Sequence, residues 1–352
     1  MTCYKPLIRV EDLTKWEKAQ DGHKYHPAKI ISTDKLEQYW TTFTMGHYKY
    51  EQINCGNCIG CRIDYSREWA NRGYLESLSY KNNYFVTLTY DDEHKPCEEE
   101  LTTSEGITYT DMDGIEWNGI LVPKDLQLFM KRLRSNMTRK YGQKTPIRFM
   151  ACGEYGSKTK RPHYHLILYN LQLPADSFYN PRVNWENNIY YQNHIIEEAW
   201  TEGISNIAEA CWETIAYTAR YITKKINGEA SEDYYAMQGQ IKEFFRVSNR
   251  PGIGKQYYEE NKDKIYKNDQ IMIRNNKGVH YIKPPNYYDM LFKKENPAEF
   301  EKIQKKRKKE NIDQLKIKGQ QTSLTLWEQL QVEEETKKQK TSALKRNFER
   351  EL

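Results

Sequence analysis

The sequence predicts an α+β fold, on three observations. Asn83–Tyr90, Ile147–Glu154 and His163–Tyr169 are short runs dense in β-branched, aromatic and aliphatic residues, and each reads as a strand. Pro123–Lys140 and Glu213–Ile226 instead carry apolar residues at helical spacing. Only a short, glycine-containing connection separates the second strand from the third, which makes them antiparallel neighbours.

The chain has 352 residues, enough for one substantial core with smaller additions. Its 54 basic and 49 acidic side chains leave a net charge of +5, a mildly basic balance compatible with a nucleic-acid partner. The 28 tyrosines suit half-buried sheet and base-stacking surface alike. No apolar run reaches membrane-spanning length and Met1–Pro6 does not open a signal peptide, so no membrane partner is expected. Seven cysteines, three of them tightly clustered, favour thiolate metal binding in a reducing compartment over a disulfide framework. A cytoplasmic protein is the expectation.

In chain order, residues 1–52 show too little periodicity for assignment. Cys55-Gly56-Asn57-Cys58-Ile59-Gly60-Cys61 then chains two C-x-x-C steps through a shared cysteine, which presents three sulfurs to one metal. Structural zinc takes four ligands, and Cys3 or His47 can supply the last. The fourth cysteine of an iron–sulfur spacing is absent. Asp64 to about Leu78 reads as a helix. Residues 95–120 form an excursion, with a hairpin expected at Asp113-Gly114 between Ile107–Tyr109 and Ile115–Trp117. Beyond Pro123, Leu126, Phe129, Met130, Leu133 and Met137 form the buried stripe of a helix whose other face is basic. Pro174–Asn188 reads as a loop, Ile195 to Trp200 as amphipathic, and Gly203–Ile207 as a strand. Ile271–Arg274 and Val279–Ile282 make a second hairpin, and from about Pro297 the chain becomes a charged, helix-prone tail.

Three features carry chemistry. On a strand, His163 and His165 project from one face, while Tyr164, Leu166 and Leu168 take the core face. The antiparallel neighbour brings Glu154 towards them, and two imidazoles with a carboxylate suit a divalent cation that keeps open positions for a substrate oxygen. In the last helix Ile215, Ala219, Ile222 and Ile226 form the apolar stripe, and Tyr217, Tyr221 and Lys224 share the opposite side. That pattern fits paired nucleophiles facing an anion; a pair of ordinary amphipathic tyrosines is the alternative.

Taken together, Phe85–Tyr90, Gly153-Glu154-Tyr155-Gly156, Arg161-Pro162-His163-Tyr164-His165 and Tyr217-x3-Tyr221-x2-Lys224 resemble the motifs of the HUH endonucleases that start rolling-circle DNA replication. More closely, the set resembles the replication initiators of small single-stranded DNA phages of the Microviridae, of gokushovirus type. The tyrosines follow the histidine motif, as in initiators; relaxases place theirs before it. The resemblance implies a palm-like antiparallel sheet of about five strands with helices packed on one side, a Cys-rich N-terminal segment and a helical charged tail. It implies domains at 1–80, 81–228 (catalytic), 229–292 and 293–352. His163, His165 and Glu154 would hold Mg²⁺ or Mn²⁺; Tyr217 or Tyr221 would attack the origin strand, leaving a 5′-phosphotyrosyl bond and a free 3′-OH; Lys224 would stabilise negative charge. Cys3, Cys55, Cys58 and Cys61 would hold structural Zn²⁺. Single-stranded origin DNA would cross the metal-bearing face, its phosphates held by Arg148, Lys158, Lys160 and Arg161. No G-x-x-x-x-G-K-[ST] loop occurs, so a host helicase and DNA polymerase are the expected partners. A plasmid initiator or transposase of the same chemistry, and a non-catalytic nucleic-acid-binding protein, are the competing readings.

Overall fold

A seven-stranded antiparallel sheet carries the candidate site. The structure is a computed structural model describing residues 3–33, 35, 46–96, 100–102, 108–110, 119–156, 161–184, 188–224, 235, 240–275 and 278–348. It divides into two units, Met1–Asp64 with Asp313–Phe348, and Tyr65–Ile312.

The first unit holds β1 (Leu7–Asp12), β2 (Glu17–Lys18), β3 (Lys24–Tyr25), β4 (Ala28–Ser32) and β5 (Tyr48–Ile53). Strands β4, β1 and β5 form a three-stranded sheet in that order, and β2 pairs with β3. The sequence carries no clear sign of this sheet because its strands are short and almost none of their residues is buried, so they lack strong apolar alternation. Helix α1 (Ile59–Ser77) begins inside the cysteine cluster and runs on into the second unit.

In the second unit the strands are β6 (Asn83–Tyr90), β7 (Glu100–Thr102), β8 (Thr108–Thr110), β9 (Arg148–Tyr155), β10 (Pro162–Tyr169), β11 (Phe178–Val183), β12 (Ile189–Asn193), β13 (Gly203–Glu209) and β14 (Phe244–Val247), with α2 (Pro123–Tyr141), α3 (His194–Ala199) and α4 (Trp212–Lys224) among them. The sheet order is β11-β12-β13-β6-β10-β9-β14, which corrects the expected five strands to seven. Two of the additions, β11 and β12, lie in or beside the stretch that reads as a loop. Pro181 sits in β11, and the register slips between Tyr179 and Arg182, so this exposed edge strand carries no clean alternation. The expected turn at Asp113-Gly114 lies outside the described residues; Glu100–Thr102 pairs with Thr108–Thr110.

Helices cover both faces of the sheet, where the resemblance implied one. On one face Tyr164, Leu166, Leu168, Val86 and Leu88 pack with the α2 stripe Leu126, Phe129, Met130, Leu133 and Met137, and with Ile195, Ile196 and Trp200. Proline at the first turn opens α2, and Gly142, at φ 70°, closes it in the left-handed conformation that glycine adopts without strain. Asn193 opens α3, its side chain accepting from the Ile195 and Ile196 amides. On the other face Met150, Ile167 and Tyr169 meet Ile215 and Ala219 of α4 and Ala70 of α1. Gly73 of α1 permits that closeness: a Cβ there would lie 2.7 Å from the Met150 sulfur and 2.8 Å from Ile215.

The unit continues through α5 (Lys255–Asn268), the hairpin β15 (Ile271–Asn275) and β16 (Gly278–Ile282), and α6 (Asn286–Glu295); α7 (Pro297–Gln320) and α8 (Leu326–Phe348) make up the charged tail. The basic block at 305–309 is partly internal: the Arg307 guanidinium bonds Asp269 through Nε (2.8 Å) and Asp289 through Nη1 (2.5 Å).

Arg148 needs a correction of the same kind. It is buried at the start of β9, where its guanidinium forms an ion pair with Glu76 and donates to the Pro251 carbonyl at 2.8 Å. Glu76 in turn accepts from the Gly254 amide at 2.6 Å. The network ties α1 to the turn before α5, and it commits the guanidinium to the protein interior instead of a phosphate. Removing one partner strands a buried charge, so Arg148→Met should lower unfolding free energy by about 3–5 kcal/mol in urea titration. Unchanged stability would show the pair to be dispensable.

Candidate metal and nucleophile site

The register of β9 and β10 builds the site. His163 stands opposite Glu154 and His165 opposite Cys152, so both imidazoles and the carboxylate project from one face of two adjacent strands. Glu154 Oε1 lies 2.8 Å from His163 Nε2 and 3.0 Å from His165 Nε2. All three residues are buried, and their donor atoms lie within 4.8 Å of one another. Tyr164, between the histidines, turns into the opposite core, where its hydroxyl accepts from the Val122 amide at 2.9 Å and donates to the Val122 carbonyl at 3.0 Å.

The outer ring nitrogens fix what the inner ones present. His163 Nδ1 lies 3.1 Å from the Arg161 carbonyl oxygen, which only accepts, so Nδ1 carries a proton. In a neutral imidazole Nε2 then presents its lone pair to the Glu154 carboxylate. Two acceptors at 2.8 Å require a cation between them, either a proton or a metal ion. His165 Nδ1 is held by the Thr87 hydroxyl at 3.0 Å, and its ring stacks with those of Phe85 and Tyr221, each centroid 5.5 Å away. The donor set therefore fits a divalent cation. Burial opposes ionisation of Glu154, yet the hydrogen bonds and charges of His163 and His165 outweigh it and hold the carboxyl down at about 2.

Helix α4 brings the tyrosines to this point. Thr214 Oγ1 accepts from the Cys211 amide at 3.0 Å, half of a capping box that starts the helix at Trp212. Ile215 and Ala219 face the core, and the Tyr217 ring meets the edge of His165 at 5.1 Å. The Tyr221 hydroxyl donates to the Tyr217 hydroxyl. Tyr221 is buried and Tyr217 half-buried, so the tyrosines line the site instead of a solvent face. Burial, followed by the Glu154 charge, pushes both phenols above the ordinary tyrosine range; the Tyr221 hydrogen bond works the other way on Tyr217.

Lys224 ends α4, and its side chain lies outside the described residues, as does Ile226. Lys158 and Lys160 also fall outside them. Arg161 is half-buried, donating to the Tyr90 carbonyl at 3.0 Å and pairing with Asp92.

A second cluster stands in the first unit. Cys3, Cys55, Cys58 and Cys61 come together, with Cys3 rather than His47 as the fourth member. The Cys55–Cys61 and Cys58–Cys3 sulfur separations are both 3.9 Å. A tetrahedron of bonds of about 2.3 Å to a central zinc has edges of about 3.8 Å, and a disulfide needs sulfurs at about 2.05 Å. Backbone amides of Tyr4 and Cys61 point at the Cys58 sulfur (3.3 and 3.5 Å). Burial raises the Cys58 thiol, but these amides overcome it and bring the group down to about 7. Sequence spacing alone could not select Cys3, which lies 52 residues before Cys55.

The family model for replication-associated proteins of the ORF2 and gene-2-protein kind matches residues 83–226, from the first residue of β6 to just beyond α4. The chain is 34% identical over 312 residues to "Replication-associated protein ORF2" of Spiroplasma virus 4, covering 88% of this chain and 86% of that protein. The chain belongs to this replication-associated protein family. Other relatives are "Replication-associated protein VP4" of Bdellovibrio phage phiMH2K, 29% identical over 250 residues (70% of this chain, 69% of that one), and "Replication-associated protein ORF4" of Chlamydia phage 1, 29% identical over 202 residues (55% and 45%). No solved structure matches the chain. The resemblance to phage replication initiators read from the motifs is borne out, and the family segment contains the triad and both tyrosines. No helix among the described residues is long and apolar enough to cross a membrane.

Because the Glu154 charge raises the Tyr217 phenol, Glu154→Gln should lower that phenol's pKa towards the ordinary tyrosine value. Carbon-13 NMR of ring-labelled tyrosine in metal-free protein reads this directly, with Tyr217→Phe assigning the signal. An unmoved titration would detach the tyrosine from the triad.

Proposed function

We propose that the chain is a rolling-circle replication initiator that nicks single-stranded origin DNA with a tyrosine. One observation supports this above the others: Glu154, His163 and His165 meet at one point, and Tyr217 and Tyr221 pack on the second histidine. His163, His165 and Glu154 hold the divalent cation, and their mixed nitrogen and oxygen donors favour Mn²⁺ over Mg²⁺ in affinity. Once bound, the cation supplies Lewis-acid polarisation of the scissile phosphate and offsets the Glu154 charge that opposes phenol ionisation.

Tyr217 is the first nucleophile in this reading, because it is the less buried phenol and its oxygen accepts the Tyr221 hydrogen bond that favours the phenolate. Tyr217 Oη attacks phosphorus and the bond to the 3′ oxygen breaks. The proton that the phenol gives up is matched by the one the leaving 3′ oxygen takes. The products are a 5′-phosphotyrosyl bond and a 3′-OH that a host polymerase extends, with strand separation left to a host helicase. Tyr221 acts on the regenerated origin after a round of synthesis, so that the displaced strand is rejoined as a circle. Lys224, one turn beyond Tyr221, stabilises charge on the phosphate or phenolate. Lys158, Lys160 and Arg161 are the remaining candidates for holding the strand's phosphates.

Incubation with Mn²⁺ and circular single-stranded DNA carrying the origin should give a covalent protein–DNA band on a denaturing gel. His163→Ala should abolish it, and Tyr217→Phe should reduce it at least about 100-fold. DNA binding with no adduct under any divalent metal would leave the non-catalytic reading instead.

The cysteine cluster is proposed as a structural zinc site. Purified protein should contain about one zinc per chain. Cys58→Ser should lose the metal and lower the melting temperature, while zinc-free protein of equal stability would remove the proposal.

A further inference from the structure

The hairpin β15–β16 has an inner face and an outer face of very different character. Ile271 and Ile273 are buried on the inner side, and His280 there meets the Trp212 ring edge-on at 6.4 Å. The outer side pairs Met272 with Tyr281 and Arg274 with Val279 across the two strands. Met272, Tyr281 and Val279 are 56%, 66% and 50% exposed, and Arg274 is exposed beside them. A two-stranded ribbon that presents a tyrosine, a methionine and a valine to water gains nothing in folding from doing so.

Charge narrows what covers this face. From Gln270 to Tyr288 the sequence contains no Asp or Glu, although the chain as a whole carries 49; its charged residues there are Arg274, Lys277 and Lys283. Neither Arg274 nor Lys283 has an ion-pair partner among the described residues. Asp269, just upstream, is occupied by Arg307. An aromatic side chain beside unpaired cations is the chemistry of a nucleic-acid strand, with bases on the ring and phosphates on the charges. The hairpin also adjoins the tyrosine helix, through its inner face. Strand β15 packs against α4, and His280 touches Trp212, the first residue of α4. Tyr217 lies five residues further along that helix, about 7.5 Å along its axis.

We propose that the outer face of β15–β16 is a platform for single-stranded DNA, holding the strand that flanks the phosphate presented to Tyr217. A base stacks on Tyr281 with Met272 beside it, and Arg274 and Lys283 hold adjacent phosphates. The platform's place in the reaction rests on the nicking reading, while its affinity for DNA does not.

The test uses the full chain with no divalent cation added, so that the triad stays unloaded while the cysteine site keeps its metal, with a fluorescein-labelled oligothymidylate of about thirty nucleotides read by anisotropy, and a duplex of equal length in parallel. Tyr281→Ala should weaken oligothymidylate binding about tenfold, with Tyr281→Phe staying within about twofold of the parent because the ring face is kept. The Arg274→Ala/Lys283→Ala double variant should reduce the slope of log affinity against log salt by about 1.4, or about 0.7 for each phosphate no longer neutralised. These side chains are exposed, so urea midpoints should not move. Parental affinity in Tyr281→Ala, equal losses for the Ala and Phe variants, losses confined to the duplex, or no oligothymidylate binding by the parent would each overturn the proposal. Adduct formation with Mn²⁺ on the same preparations separates the two readings. If no protein forms an adduct while binding still depends on Tyr281, nicking fails and the platform holds. If the hairpin variants form adduct at the parental rate at every DNA concentration, the platform fails and nicking holds.

Discussion

His163 faces Glu154 across a two-strand ladder, and the rest of the candidate site depends on that register. A slip of one residue would turn both histidines into the core occupied by Tyr164, Leu166 and Leu168, and would send those three to the metal face. The apolar core on one side therefore specifies the polar cluster on the other. Helix α2 and Trp200 seal the first face, and α1 and α4 seal the second. The site is held by packing from both sides of the sheet, with His165 stacked against Phe85 and Tyr221. Such packing fixes the geometry of the three side chains within the fold itself.

The electrostatics have a direction. A carboxylate held ionised to about pH 2 lies beside one buried and one half-buried phenol, Tyr221 and Tyr217, and adds to burial in making them harder to ionise. An occupied cation site reverses that influence, because the charge facing the phenols changes sign. In the proposed reaction this would make the tyrosines better nucleophiles only when the triad is loaded, and so couple attack to the presence of the metal. The Tyr221-to-Tyr217 hydrogen bond distinguishes the two phenols, one as donor and the other as acceptor.

Much of this was legible in the sequence, for identifiable reasons. Strand β10 shows because its core-facing positions are large and apolar, and Glu154 shows because a short connection forces antiparallel pairing. Helix α4 shows through Ile215 and Ala219. Less was legible where the signal is nonlocal or weak. Cys3 joins the cluster across 52 residues, and β11 hides behind Pro181 and a bulge. Arg148 looks like any strand-borne cation until Glu76, on a distant helix, is seen beside it. The extra cover on the metal face comes from α1 and α4 packing through Gly73, a closeness that no periodicity reports.

The most direct test is to locate the covalent bond. Protein reacted with Mn²⁺ and origin DNA would be treated with nuclease and trypsin, and the peptides read by mass spectrometry. Cleavage after Arg220 separates Tyr217 from Tyr221, so one spectrum distinguishes them. The expected result is a nucleotide remnant on the peptide ending at Arg220, at Tyr217. A remnant on a tyrosine outside α4, or an adduct that forms equally well in protein lacking His163 and His165, would contradict tyrosine attack at a metal-loaded triad.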